Sequence, residues 1–116
     1  MLFSKKELNF DVPKVMGVIN LTPDSFSDGG RFNFPNSKKI DKGKVLKEIE
    51  KMQSHGASFI DIGAESTRPN SIRISAEEEL DRLMPILEEI KNIEAVVSID
   101  SSKSEVISEA IKNGVD

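Results

Sequence analysis

This chain of 116 residues predicts an α/β fold with parallel strands. Three short runs, Val15 to Leu21, Ser58 to Ile62 and Ala95 to Asp100, are apolar on consecutive positions, as in strands of a parallel sheet covered on both faces. Amphipathic helical stripes lie between them. The resulting order is β-α-β-α-β-α, with strands about forty residues apart, and it implies parallel pairing through right-handed crossovers.

Taken in order, residues 1–14 are expected to form an N-terminal segment with a short antiparallel strand or hairpin. Residues 15–116 then make one incomplete domain, with no linker or low-complexity tract. Val45, Leu46, Ile49 and Met52 form the first helical stripe, which stops at Gly56, a natural C-terminal cap. Leu80, Leu83, Met84, Leu87 and Ile90 form the second. Ser75 opens it, with Glu78 three residues on as a capping box, and Pro85 should bend it. Ser102 with Glu105 opens a third helix, carried by Val106, Ala110 and Ile111 and closed by Gly114.

Composition narrows the function classes. Lys and Arg total 16 and Asp and Glu 20, for a net charge of −4, so the basic stripe of a nucleic-acid binder is not expected. The chain has no Cys, hence no disulfide and no thiolate metal site, and a reducing cytoplasm suits it. MLFSKKELNF lacks the apolar core of a signal peptide, and no apolar stretch reaches membrane-spanning length. A soluble, cytoplasmic protein is expected.

The chemistry concentrates at strand ends. Strand one ends at Asn20, strand two carries Asp61 at its end, and strand three ends at Asp100. Such groups converge on the face where both α/β barrels and open sheets build active sites. An aspartate after a strand also caps the following helix, but polar groups on all three ends favour a site. Pattern alone leaves barrel and open sheet undecided, although NLTPDSFSDGG after strand one is no dinucleotide-binding turn. Two loops stand out. VMGVINLTPDSFSDGG, Val15 to Gly30, delivers an amide into an acidic loop with Asp24 and Asp28. DIGAESTRPNS, Asp61 to Ser71, carries the Thr67 hydroxyl beside the planar, permanently charged fork of Arg68. The single histidine, His55, sits at a helix end, where solvation or a dipole contact is expected rather than catalysis. The methionines belong to packing stripes. Lys38, Lys39, Lys42, Lys44 and Lys47 make a basic patch, read as a solvated face.

Both strings closely resemble the first and second signatures of dihydropteroate synthase, a transferase of folate biosynthesis. VVSIDSSKSEVISEAIKNGVD is similar to the family's stretch around strand three. The resemblance implies a TIM-type (β/α)8 barrel of which this chain holds about the first three βα units. It also implies condensation of 4-aminobenzoate with 6-hydroxymethyl-7,8-dihydropterin diphosphate, with release of pyrophosphate. Carried over by motif, Asn20 would contact Mg²⁺ on the leaving pyrophosphate, Thr67 the pterin diphosphate, and Asp100 the pterin ring. Phe26, Arg68 and Pro69 would shape the aminobenzoate pocket. Asp28 would lie near the reacting carbon and, with Arg68, serve catalysis. Mg²⁺ is the implied cofactor, the two small molecules are the implied partners, and a homodimeric parent is expected. Ala64 and Asn70 stand where the family often has glycine, which would stiffen the second loop slightly. A β/α barrel needs about 250 residues, so the chain is expected to be the N-terminal portion of the enzyme, inactive alone. The alternatives are a pterin-binding methyltransferase domain and a non-catalytic half-barrel module.

Overall fold

The computed structural model describes residues 2–3, 6–11, 13–22, 32–34, 39–65 and 73–116. A short antiparallel pair, β1 (Leu2–Phe3) and β2 (Lys6–Glu7), comes first. Three βα units follow: β3 (Val15–Asn20) with α1 (Lys42–Ser54), β4 (Ala57–Gly63) with α2 (Ala76–Leu87), and β5 (Val96–Asp100) with α3 (Ser104–Lys112). β3, β4 and β5 pair in parallel in chain order. Successive right-handed crossovers that advance in one direction place every helix on the same side of the sheet. A doubly wound sheet has to reverse direction, and these three strands do not. The arrangement is that of consecutive units of a β/α barrel.

The helix-covered face holds the core. Ile19, Ile60, Ile62 and Val97 from the strands are buried against Val45 and Ile49 of α1, Leu83, Ile86 and Leu87 of α2, and Val106 and Ala110 of α3. Gly17 marks the closest approach of α1, since a β-carbon there would meet Met52 Sδ at 2.5 Å. The opposite face corrects one expectation. Its apolar residues on β3 are not covered: Met16 is 51 % exposed and Val18 62 %. In a closed barrel this face is filled by side chains from the other strands. Consecutive apolar residues in the sequence therefore reflect a surface that the described residues leave open. Met16 accordingly lies on that open face rather than in a core stripe. At the lower end β4 and β5 are covered: Phe10 stacks on Phe59 with ring centroids 6.0 Å apart, and Val96 beside it is buried. The Lys6 ammonium donates to the Ala95 carbonyl at 2.7 Å and pairs with Asp116 Oδ2 at 2.7 Å, tying β2 to the start of β5.

Helix ends follow local chemistry, with two departures. Asp41 caps α1, accepting from the Lys44 N–H at 3.3 Å, and Ser75 caps α2, accepting from the Glu78 N–H at 3.1 Å. The Glu78 carboxylate, expected to reach back and complete a capping box, pairs instead with Arg82 at 3.1 Å. At α3 the cap position is held by Lys103 with no side-chain cap bond, not by Ser102. Ser101 Oγ accepts the Lys103 N–H at 3.2 Å. α2 continues through Pro85 to Leu87, and the Ile90 expected on its stripe lies in a separate 3₁₀ turn, Ile90–Asn92, though still buried. Among the predicted basic patch, Lys42 pairs with Glu89 at 2.6 Å and Lys44 donates to the Asn33 carbonyl at 3.3 Å. No helix among the described residues is long and apolar enough to cross a membrane.

Gly56 ends α1 with φ of 98°, in the left-handed region that side chains disfavour. Nothing lies within 4 Å of where its β-carbon would be, so substitution there costs backbone conformation alone. Gly56→Ala is expected to lower stability by about 1 kcal/mol, with Gly56→Asn losing less, as read from urea unfolding midpoints of the complete protein.

Candidate active site at the C-terminal edge of the sheet

Strand register gathers the site. Asn20, Gly63 and Asp100 are direct neighbours across β3, β4 and β5, so they share the open face at its C-terminal edge. Asn20 and Asp100 are both exposed there. Asn20 Oδ1 accepts the Thr22 N–H at 3.3 Å, which orients its amide. The Leu21 N–H bonds the Gly63 carbonyl at 2.8 Å and carries the pairing one residue past the strand. Between the two polar ends, Gly63 contributes no side chain. A β-carbon at that position would lie 3.5 Å from Asp100 Cβ and 3.8 Å from Asp100 Oδ2. Glycine there leaves an open floor flanked by an amide and a carboxylate.

Asp61 does not end its strand, as the sequence suggested, because β4 runs on to Gly63. It sits one layer lower on the same face, between Val18 and Ser98, where the Ser98 hydroxyl donates to Asp61 Oδ1 at 2.6 Å. The floor therefore carries two carboxylates at different depths, Asp100 at the rim and Asp61 below it. Asp28 and Phe26 on the first loop, and Thr67, Arg68 and Pro69 on the second, lie outside the described residues. His55 is exposed at the C-cap of α1, as expected of a helix-terminal residue.

The stem of the second loop holds residues that sequence reading passed over. The Ala64 carbonyl, at the end of β4, accepts from Arg82 Nη1 at 2.7 Å. Glu65 Oε2 accepts the Ile74 N–H at 3.0 Å and pairs with the Lys103 ammonium at 2.8 Å. The same ammonium bonds Glu79 Oε2 at 2.8 Å, from a side chain only 1 % exposed. The Lys103 ammonium, first, and then the Ile74 N–H hold the Glu65 carboxyl below the ordinary carboxylate range. Glu65, and next Glu79, hold the Lys103 ammonium above its ordinary value. Both shifts favour the charged pair in the fold. Its stabilisation fades as pH falls through the lowered Glu65 pKa, and again as pH rises through the raised Lys103 pKa. The only sequence signals were Glu65's place inside the DIGAESTRPNS string and Lys103's place three residues after Asp100.

Among the described residues no group of three or more His, Cys, Asp or Glu side chains is placed to hold a metal ion. Asn20 can offer one neutral oxygen. That suits a cation such as Mg²⁺, which takes few protein ligands and completes its shell with water and phosphate oxygens.

Residues 16–116 match the family model described as pterin binding enzyme. The chain is 45 % identical over 114 residues to the dihydropteroate synthase of Haemophilus influenzae, covering 97 % of this chain and 39 % of that protein. It is similar to the solved Yersinia pestis dihydropteroate synthase with a sulfonamide drug complex. That match has a TM-score of 0.83 and 40 % identity, over 98 % of this chain and 40 % of the other. It is also similar to the Burkholderia cenocepacia dihydropteroate synthase complexed with 7,8-dihydropteroate, with a TM-score of 0.76 and 33 % identity, over 97 % and 34 %. The chain thus spans about two fifths of the length of the Haemophilus relative. With three parallel βα units, an open polar floor at their C-terminal edge and a family match over residues 16–116, the chain belongs to the pterin-binding enzymes.

Proposed function

We propose that these residues are the first three βα units of a dihydropteroate synthase. The observation that carries the reading is the floor made by Asn20, Gly63 and Asp100, with the two signature loops leaving its rim. The relatives' names support the choice of reaction, and the Burkholderia structure's bound 7,8-dihydropteroate supports pterin and aminobenzoate moieties as occupants.

In this reading the Asp100 carboxylate accepts hydrogen bonds from the pterin ring, whose flat face lies over the side-chain-free Gly63. Thr67 and Asn20 hold the diphosphate end. Mg²⁺, held through the Asn20 oxygen, would supply positive charge to the departing pyrophosphate. The C–O bond breaks with its electron pair leaving on pyrophosphate, and the amine lone pair of 4-aminobenzoate forms the new C–N bond, with loss of one amine proton. Asp28 stabilises the cationic carbon between those events. Phe26, Arg68 and Pro69 orient the aminobenzoate, Arg68 through its carboxylate. Both loops exclude water, which would otherwise capture the same carbon. A homodimeric assembly and the cytoplasm complete the reading, the latter on the cysteine-free composition alone.

The test is condensation of 4-aminobenzoate with the pterin diphosphate by the complete protein. Absence of product together with methyl transfer from a methyltetrahydrofolate would replace this reading with the methyltransferase one. Three variants of the complete protein separate the roles by titration. Asn20→Ala should weaken Mg²⁺-dependent pyrophosphate binding. Asp100→Ala should weaken pterin binding roughly 10- to 100-fold, as expected for a charged hydrogen bond. Arg68→Ala should hurt aminobenzoate use more than pterin binding. Wild-type behaviour in all three would refute the residue assignment even if the reaction is right.

A further inference from the structure

We propose that Glu65 and Lys103 are positioning residues that fix the two ends of the second loop relative to the end of β5. The loop's two ends meet on one atom. Glu65 lies immediately before residues 66–72, and its Oε2 accepts the N–H of Ile74, just beyond them, at 3.0 Å. One carboxylate thus closes the stem. Lys103 then fixes that stem in space, since its ammonium reaches Glu65 at 2.8 Å and the buried Glu79 of α2 at 2.8 Å.

The connectivity gives the contact its meaning. Arg68 and Pro69 follow Glu65 by three and four residues, while Lys103 follows Asp100 by three. The ion pair is therefore a short bridge between the chain carrying the aminobenzoate-side groups and the strand end carrying the pterin-side carboxylate. It crosses from the end of β4 to the start of α3, and Glu79 anchors it to α2 between them. The same lysine occupies the cap position of α3 without capping it, since an ammonium has no acceptor for the helix N–H groups, and its side chain goes to the two carboxylates. Two carboxylates facing one ammonium also explain why simple removal of the lysine is a poor experiment. It would leave Glu65 and the buried Glu79 uncompensated, and Glu79 Oε1 already lacks a hydrogen-bond partner among the described residues.

The kinetic arm of the test rests on the synthase reading, whereas the exchange arm does not. The complete protein is made with Lys103→Met and Glu79→Gln together, which removes the ammonium and one opposing charge, and separately with Lys103→Arg, which keeps the bridge. Hydrogen exchange is followed in peptides covering residues 64–75. The double variant is expected to exchange there about tenfold faster and to raise KM for 4-aminobenzoate about tenfold, while Kd for a pterin analogue that lacks the diphosphate, and so does not reach Thr67, moves less than threefold. Lys103→Arg should restore both. Unchanged exchange and KM would overturn the proposal. So would parallel losses of pterin affinity, aminobenzoate use and melting temperature that arginine fails to rescue, since those mark fold support alone. If the wild-type protein makes no dihydropteroate, the synthase reading falls and the exchange result still decides whether the bridge holds the stem.

Discussion

The 116-residue chain alone is expected to make no dihydropteroate, with turnover at least about 10⁴-fold below that of the complete protein. The reason is geometric. Asn20, Asp61 and Asp100 form one stretch of floor, but the open face around them is bare, with Met16 and Val18 more than half exposed. A substrate resting on three strands has solvent where a closed barrel has walls. Catalysis by positioning loses roughly 10²-fold for a displacement of about 1 Å, and missing walls allow far more. Water would also reach the cationic carbon. An assay of the isolated chain with both substrates and Mg²⁺ checks this, with sedimentation beside it. Measurable turnover would refute this expectation, whereas a discrete, folded dimer of two such chains without turnover would favour the non-catalytic half-barrel module.

The fold was legible because its signals are local and repeated. Each strand is a short apolar run, each helix an amphipathic stripe, and the alternation alone requires parallel crossovers. Both glycine stops sit where the backbone turns left-handed, at Gly56 and Gly114. What resisted reading was set by tertiary contacts. β4 runs on to Gly63 because its partners β3 and β5 end level with it, and that extension moved Asp61 from the rim into the layer below. Ser102 looked like a cap, yet the cap position fell to a lysine whose side chain serves two distant carboxylates. Glu78 fitted a capping box by spacing, but Arg82 four residues on is a stronger partner for its charge. Of the candidate site, Asn20 and Asp100 stand where the strand ends placed them. The roles of Phe26, Asp28, Thr67, Arg68 and Pro69 rest on motif resemblance. Glu65 and Lys103 are separated by 38 residues, and no periodicity could have joined them.

Gly63 offers the sharpest test of the floor itself. In the complete protein, Gly63→Val is expected to weaken pterin binding at least about 100-fold, whereas Gly63→Ala should cost much less. A single β-carbon there would sit at ordinary van der Waals distance from Asp100, 3.5 Å from its Cβ. The alanine methyl is therefore tolerated by the protein and only thins the space above the floor. Valine adds two methyl groups on a stiff side chain that cannot fold away from the site. They would stand between Asn20 and Asp100, where the flat ring is proposed to lie, and press on the Asp100 carboxylate. Strand pairing should survive, because valine favours extended backbone and position 63 keeps its bonds to the neighbouring strands. Binding should therefore fall while the melting temperature holds within a few degrees. Titration of a pterin analogue, with thermal unfolding of the same samples, separates the two effects. Valine and alanine variants that bind alike would show that the ring does not rest on this glycine. The binding surface would then have to be sought elsewhere on the open face, with the lower carboxylate of Asp61 as the next position to change.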